Sequence, residues 1–265
     1  MNLIGPVTAR RYDDDHMPQE DTTMKFRPGF ALTLLLPLTA GGADLSAAFP
    51  QLAKMQLRNE GVTVLYPREH AGKAPPPAWL RDYEEAGVYA SAPLTLTLDG
   101  LPPLTLACDS GPSADPSCRL LRDAEKPDET VFEAPGTQFA FLPDARIVVG
   151  GHSDTYYDER RTYQWKKDRF VEVAQPLRHV GVSGALKQAV ILRRAPGAKA
   201  AELGLTLAAG TRVTVLLNDA RKGTGNEEFS PDYLLLTPEG IVGWAHLPGN
   251  PDGTTAVEGL YYRGD

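Results

Sequence analysis

Apolar and polar residues alternate in short runs along most of the chain. "VTVLYP" begins at Val62, "PLTLTLDG" closes on Asp99-Gly100, and "LPPLTLAC" returns from it. "CRLLRDA", "TVFEA", "TQFAFL" and "ARIVVGG" follow, then "RTYQWKKDRFVEVAQPL". A period of two between turn residues predicts β-strands. Asp99-Gly100 is a strong hairpin signal, and Lys167-Asp168 is suited to a turn. Tyr163, Trp165, Phe170, Val171 and Val173 are good strand formers flanking that second turn. Helical signals are few. Residues 45–59 predict one helix, interrupted at Pro50, and "PAWLRDYEEAG" predicts a short second one ended by Gly87. The prolines at 75–77 predict a stiff extended link before it. The expectation is a mainly β chain, with an N-terminal β-rich (α+β) domain over 44–182. "GVSGALKQ", with Gly181 and Gly184, looks like a linker to a second domain over 189–265.

The second domain has its own pattern. "AVILRRAPGAKAAELGLTLAAGTRVTVLLND" reads as strand, turn-rich loop, strand, tight turn and strand, and "DYLLLTPEGIVGWAHL" as a hairpin turned at Glu239-Gly240. This order resembles the bacterial SH3-like domain. The resemblance rests on "LRRAPG", on "LAAGTRVTVL" and on the final hairpin with Gly243-Trp244, and it covers about a quarter of the chain. It implies a small five-stranded barrel. The insertion "NDARKGTGNEEFSPD" is longer than the family's, and Tyr233 stands near where the family often has a tryptophan. Both changes fall near loops that could form a ligand groove, so the family's usual ligand is not carried over; Tyr233 beside those loops and Trp244 as a ligand platform are candidate binding residues. The alternative for Trp244 is core packing, since a small core needs large apolar surfaces.

The start of the chain adds a location. From Met24 it reads "MKFRPGFALTLLLPLTAGGADLS": positive Lys25 and Arg27, an apolar run from Phe30 to Ala40, then small Gly41 and Ala43 before Asp44. That order predicts a secretory signal peptide over 24–43, cut between Ala43 and Asp44. The apolar run falls short of the roughly 20 residues of a membrane-spanning helix, so no stable membrane insertion is expected. Residues 1–23 are polar and acidic. They read as a leader upstream of the true start codon, or as a disordered extension. The product is expected in the periplasm or outside the cell. Its two cysteines, Cys108 and Cys118, flank a Gly/Pro/Ser/Asp loop, and in an oxidising compartment they predict a disulfide. The formal net charge is −7 with Lys and Arg scattered. A nucleic-acid partner would call for a basic face.

Candidate chemistry is sparse. "GGHSDTYYDERR", residues 150–161, is the densest polar cluster. His152, Ser153, Asp154, Asp158 and Glu159 raise the idea of a metal site, but the regular spacing of a calcium loop is missing. A surface hairpin loop is the simpler expectation, with no metal and no cofactor. Tyr156 and Tyr157 beside Arg160 and Arg161 have the composition of a protein-binding patch. No G-x-S-x-G elbow occurs. Cys108 lacks the helix or neighbouring cation of a reactive thiolate. His70, His179 and His246 are isolated. Glu84, Glu85, Asp99 and Asp109 are available carboxylates among which nothing selects. The sequence therefore points to a non-catalytic binding protein. Its expected partner is an envelope protein, such as a toxin or hydrolase that it neutralises, or cell-wall material such as peptidoglycan. The rival is a peptidoglycan hydrolase targeted by its SH3-like domain. No oligomeric state follows.

Overall fold

The structure, a computed structural model, describes residues 44–113, 115–152, 155–221 and 229–264, all within one compact unit. The predicted signal peptide and leader lie outside the described residues, as do Ser153, Asp154 and positions 222–228 of the long insertion. Among the described residues the fold is mainly β. In chain order the strands are β1 (Ala53–Leu57), β2 (Val62–Tyr66), β3 (Ala71–Lys73), β4 (Ala90–Leu96), β5 (Leu104–Asp109), β6 (Ser117–Leu121), β7 (Thr130–Pro135), β8 (Gln138–Phe141) and β9 (Arg146–Gly151). They continue with β10 (Glu159–Lys166), β11 (Arg169–Glu172), β12 (Leu177–Ala185), β13 (Val190–Arg193), β14 (Glu202–Leu207), β15 (Arg212–Asp219), β16 (Asp232–Leu236) and β17 (Val242–His246). Two short α-helices are α1 (Leu45–Ala48) and α2 (Leu80–Glu85). No helix among the described residues is long and apolar enough to cross a membrane.

These strands form three sheets. The first runs β1-β2-β8-β9-β10-β11, the second is the consecutive ribbon β3-β4-β5-β6-β7, and the third runs β12-β15-β16-β17-β13-β14. Only β2 and β8 pair in parallel, with Val64 opposite Phe139. The first two sheets share one core, in which Val64, Leu96, Leu106, Leu120, Phe139 and Ile147 are fully enclosed. Phe132 sits edge-on to Phe139, Phe141, Tyr163 and Phe170 with centroids 5.1–6.5 Å apart. Such geometry adds to the area these rings bury. Cys108 and Cys118 face each other in the β5–β6 register and are joined as a disulfide inside this core.

The third sheet keeps a separate core of Leu192, Val215, Leu235, Ala245 and others. The tail also enters it: Ala256, Val257 and Leu260 are buried there. Gly184 permits this, because a Cβ at that position would lie 2.0 Å from the Glu258 carbonyl oxygen.

Three expectations need correction. The predicted first helix stops at Ala48. Pro50 breaks it, and the alternation of "AKMQL" then pairs β1 with β2 over its whole length. The stretch expected to be a linker lies largely in β12, which pairs with β15 around a bulge where Gly181 takes φ +74°. All five strands expected over 189–248 are present, but they do not close into a barrel. Strand β12 adds to the β15 edge, so the sheet ends at β12 and β14.

Candidate ligand-binding cleft

Two segments singled out in the sequence, one before β10 and one before β16, meet at one end of the third sheet. Tyr156, Phe229 and Tyr262 form a ring triad, with centroids 5.7 Å apart for Tyr156–Phe229 and 5.6 Å for each of the other pairs. They come from the β9–β10 connection, the end of the long insertion and the C-terminal tail. The tail is pinned where the Tyr262 amide donates to the Gly253 carbonyl at 2.6 Å. Tyr156, Phe229, Ser230, Pro231, Tyr233 and Pro248 are among the residues that line a cleft of about 230 Å³. Gly249 completes it. A Cβ there would lie 2.0 Å from the Tyr156 hydroxyl oxygen, so only glycine lets the ring settle. Partial burial holds the Tyr156 phenol above its ordinary pKa.

The other predicted residues divide. Tyr157 is buried, and its hydroxyl donates to Asn218 Oδ1 at 3.1 Å. Its ring stands edge-on to buried Tyr233 at 6.4 Å. Tyr157 is therefore a core residue, and Tyr233 offers the cleft only part of its edge. Burial raises the pKa of both phenols, with Glu159 adding to the effect on Tyr157 and Tyr156 to that on Tyr233. Arg160 is exposed, whereas Arg161 is half-buried and donates to the Pro135 carbonyl. The expected four-residue Tyr–Arg patch thus does not form.

Trp244 lies on the face of the third sheet opposite its core, in register with Leu234 and Arg193. Gly243 takes the inward place beside it, where a Cβ would meet Leu203 Cδ1 at 2.7 Å.

Two members of the cluster that raised a metal site, His152 and Glu159, are engaged in other contacts. His152 Nε2 lies 2.9 Å from the Thr155 carbonyl and 3.1 Å from that of Tyr261, so it acts as a donor. Glu159 is held by Arg178 at 2.5 Å. Among the carboxylates, Asp109 accepts from Arg119 at 2.7 Å and from the Gly111 amide at 3.0 Å. His246 pairs with Asp232 at 3.0 Å.

Sequence reasoning missed Tyr262 and singled out Phe229 only as part of an insertion. The tail, "GNPDGTTAVEGLYYRGD", reads as turn-rich with "AVEGLYY" able to add an edge strand, and the available signal was its Tyr261-Tyr262 pair. Comparison of the chain with protein-family models, with curated proteins and with solved structures gives no match.

Proposed function

We propose that this chain is an exported, non-catalytic binding protein of the cell envelope that holds a partner protein in the cleft lined by Tyr156 and Phe229 and backed by Tyr262. The observation that carries this reading is the ring triad itself. Tyr156 and Phe229 line a preformed opening, Tyr262 packs against both of them, and aromatic anchors dominate the energetics of protein interfaces. The lining favours a polypeptide over cell-wall glycan. Apart from Ser230 and the phenols it is rings, prolines and an aliphatic side chain, and sugar hydroxyls buried there would lack partners. The signal-like order of residues 24–43 and the disulfide support an extracytoplasmic site. The strand sequence β13 to β17 supports kinship with the SH3-like domain.

The test uses the chain as bait against the envelope fraction of its native cells, alongside a Tyr156→Ala/Phe229→Ala variant. The reading expects a discrete prey recovered by the wild type and lost by the variant. Equal recovery would refute the assignment of the cleft. Mass spectrometry of the mature product tests export: an N-terminus near Asp44 is expected, and an intact Met1 would contradict it.

A further inference from the structure

A larger groove lies beside α2. Its volume is about 640 Å³, within the roughly 300–1,000 Å³ of small-ligand sites. Its lining differs in kind from that of the aromatic cleft. Tyr89 stands 61% exposed at one wall, with Pro76 and Val88 beside it. Arg81 and Glu84, one turn apart on α2, and Asn59 from the β1–β2 turn supply polar groups. Among the described residues none of these three side chains has a protein partner.

The helical wall is held rigidly. The Arg119 guanidinium stacks over Trp79 at 5.8 Å and Tyr83 at 5.5 Å. It also donates to the Tyr83 hydroxyl at 2.7 Å and to Asp109 at 2.7 Å. Trp79 Nε1 donates to the Ala124 carbonyl at 2.7 Å, and the Ala78 amide to Glu125 at 3.0 Å. The groove is therefore shaped before any ligand arrives, which lowers the ordering cost of binding.

From this lining we infer that the α2 groove binds a neutral saccharide chain. A sugar ring offers one face of C–H groups, which packs on an exposed aromatic ring such as Tyr89. Its rim carries hydroxyls that both donate and accept. Arg81 supplies only donors, Glu84 only acceptors and Asn59 both, so together they match such a rim. One positive and one negative group leave the lining neutral, which suits an uncharged chain better than a phosphorylated or strongly acidic one. An extended polypeptide would use the ring and the prolines and leave the charged pair unanswered.

This inference is independent of the aromatic cleft. Its test is calorimetric titration of the full-length chain with tetrasaccharides of glucose and of N-acetylglucosamine. Saturable binding of at least one, at a Kd of about 1 mM or tighter, is expected. Tyr89→Ala weakens it about tenfold or more, whereas Tyr89→Phe retains it. Arg81→Ala and Glu84→Gln each weaken it several-fold, and Tyr156→Ala leaves it unchanged. Thermal melts confirm that these surface variants fold. Absence of saturable binding by either saccharide overturns the inference. So does binding indifferent to Tyr89→Ala, or a proline-rich decapeptide that binds at Tyr89 where saccharides do not.

Discussion

Arg178 of β12 lies 2.5 Å from Glu159 of β10 and 3.1 Å from Glu172 of β11. One guanidinium therefore fastens the first sheet to the third. Glu159 is buried, so removing its partner would leave a carboxylate with little access to water. The half-buried Arg161 also approaches Glu159, at 4.0 Å, but its guanidinium is committed to the Pro135 carbonyl. Arg178→Met is expected to lower stability by about 2–3 kcal/mol. Pairing it with Glu159→Leu should recover most of that loss. Urea denaturation of the two single variants and the double variant measures both effects.

The disulfide joins residues directly opposite in β5 and β6, next to the Asp109–Arg119 pair that supports α2. The Cys108→Ser/Cys118→Ser variant should lose about 3 kcal/mol. It also places two hydroxyls in an apolar core. A fall of less than about 1 kcal/mol in urea denaturation would contradict a structural role for the bridge.

Two glycines should respond in opposite ways. Gly249→Ala drives a methyl group into the Tyr156 hydroxyl, which can swing outward. Stability is expected to stay within about 0.5 kcal/mol while partner capture is lost. At Gly184 the obstacle is the backbone carbonyl of Glu258. Gly184→Ala should therefore pry the tail from the third core, at about 1–3 kcal/mol. Thermal melts read the stability of both variants, and the pull-down reads the first.

Alkaline pH gives a further test. Burial raises the pKa of the Tyr157 and Tyr233 phenols in the folded chain, while an unfolded tyrosine titrates near about 10. Neutral phenol is thus favoured by folding. The resulting stability is fully present below about pH 10 and is lost as pH rises beyond it. Absorbance titration should show these two tyrosines ionising only as the chain unfolds. Tyr157→Phe should flatten the fall in stability above pH 10. Ionisation of Tyr157 and Tyr233 together with the exposed tyrosines near the ordinary pKa, with the fold intact, would contradict the burial.

Local signals carried much of this fold. Lys167 and Asp168 take φ +47° and +67°, the double left-handed turn that suits a two-residue hairpin. Gly87, at φ +76°, follows α2 as its sequence implied. What escaped was set by distant partners. Nothing in "VTVLY" announces a parallel neighbour more than seventy residues later. β12 carries glycines because a bulge and a close approach by the tail require them, and on sequence alone those glycines resemble a linker. Tyr157 and Tyr156 are adjacent, yet one finds Asn218 inside the core and the other finds Phe229 and Tyr262 at the cleft. The site was half legible for the same reason: its residues are ordinary until the fold brings them together.

The most direct measurement of the central claim is site-specific photocrosslinking in living native cells, with a photoreactive phenylalanine analogue replacing Tyr156. The account expects one discrete protein adduct in the extracytoplasmic fraction, absent when the same analogue replaces exposed Val171 on β11. Failure to form an adduct at position 156, or an adduct with a cytosolic protein, would contradict it.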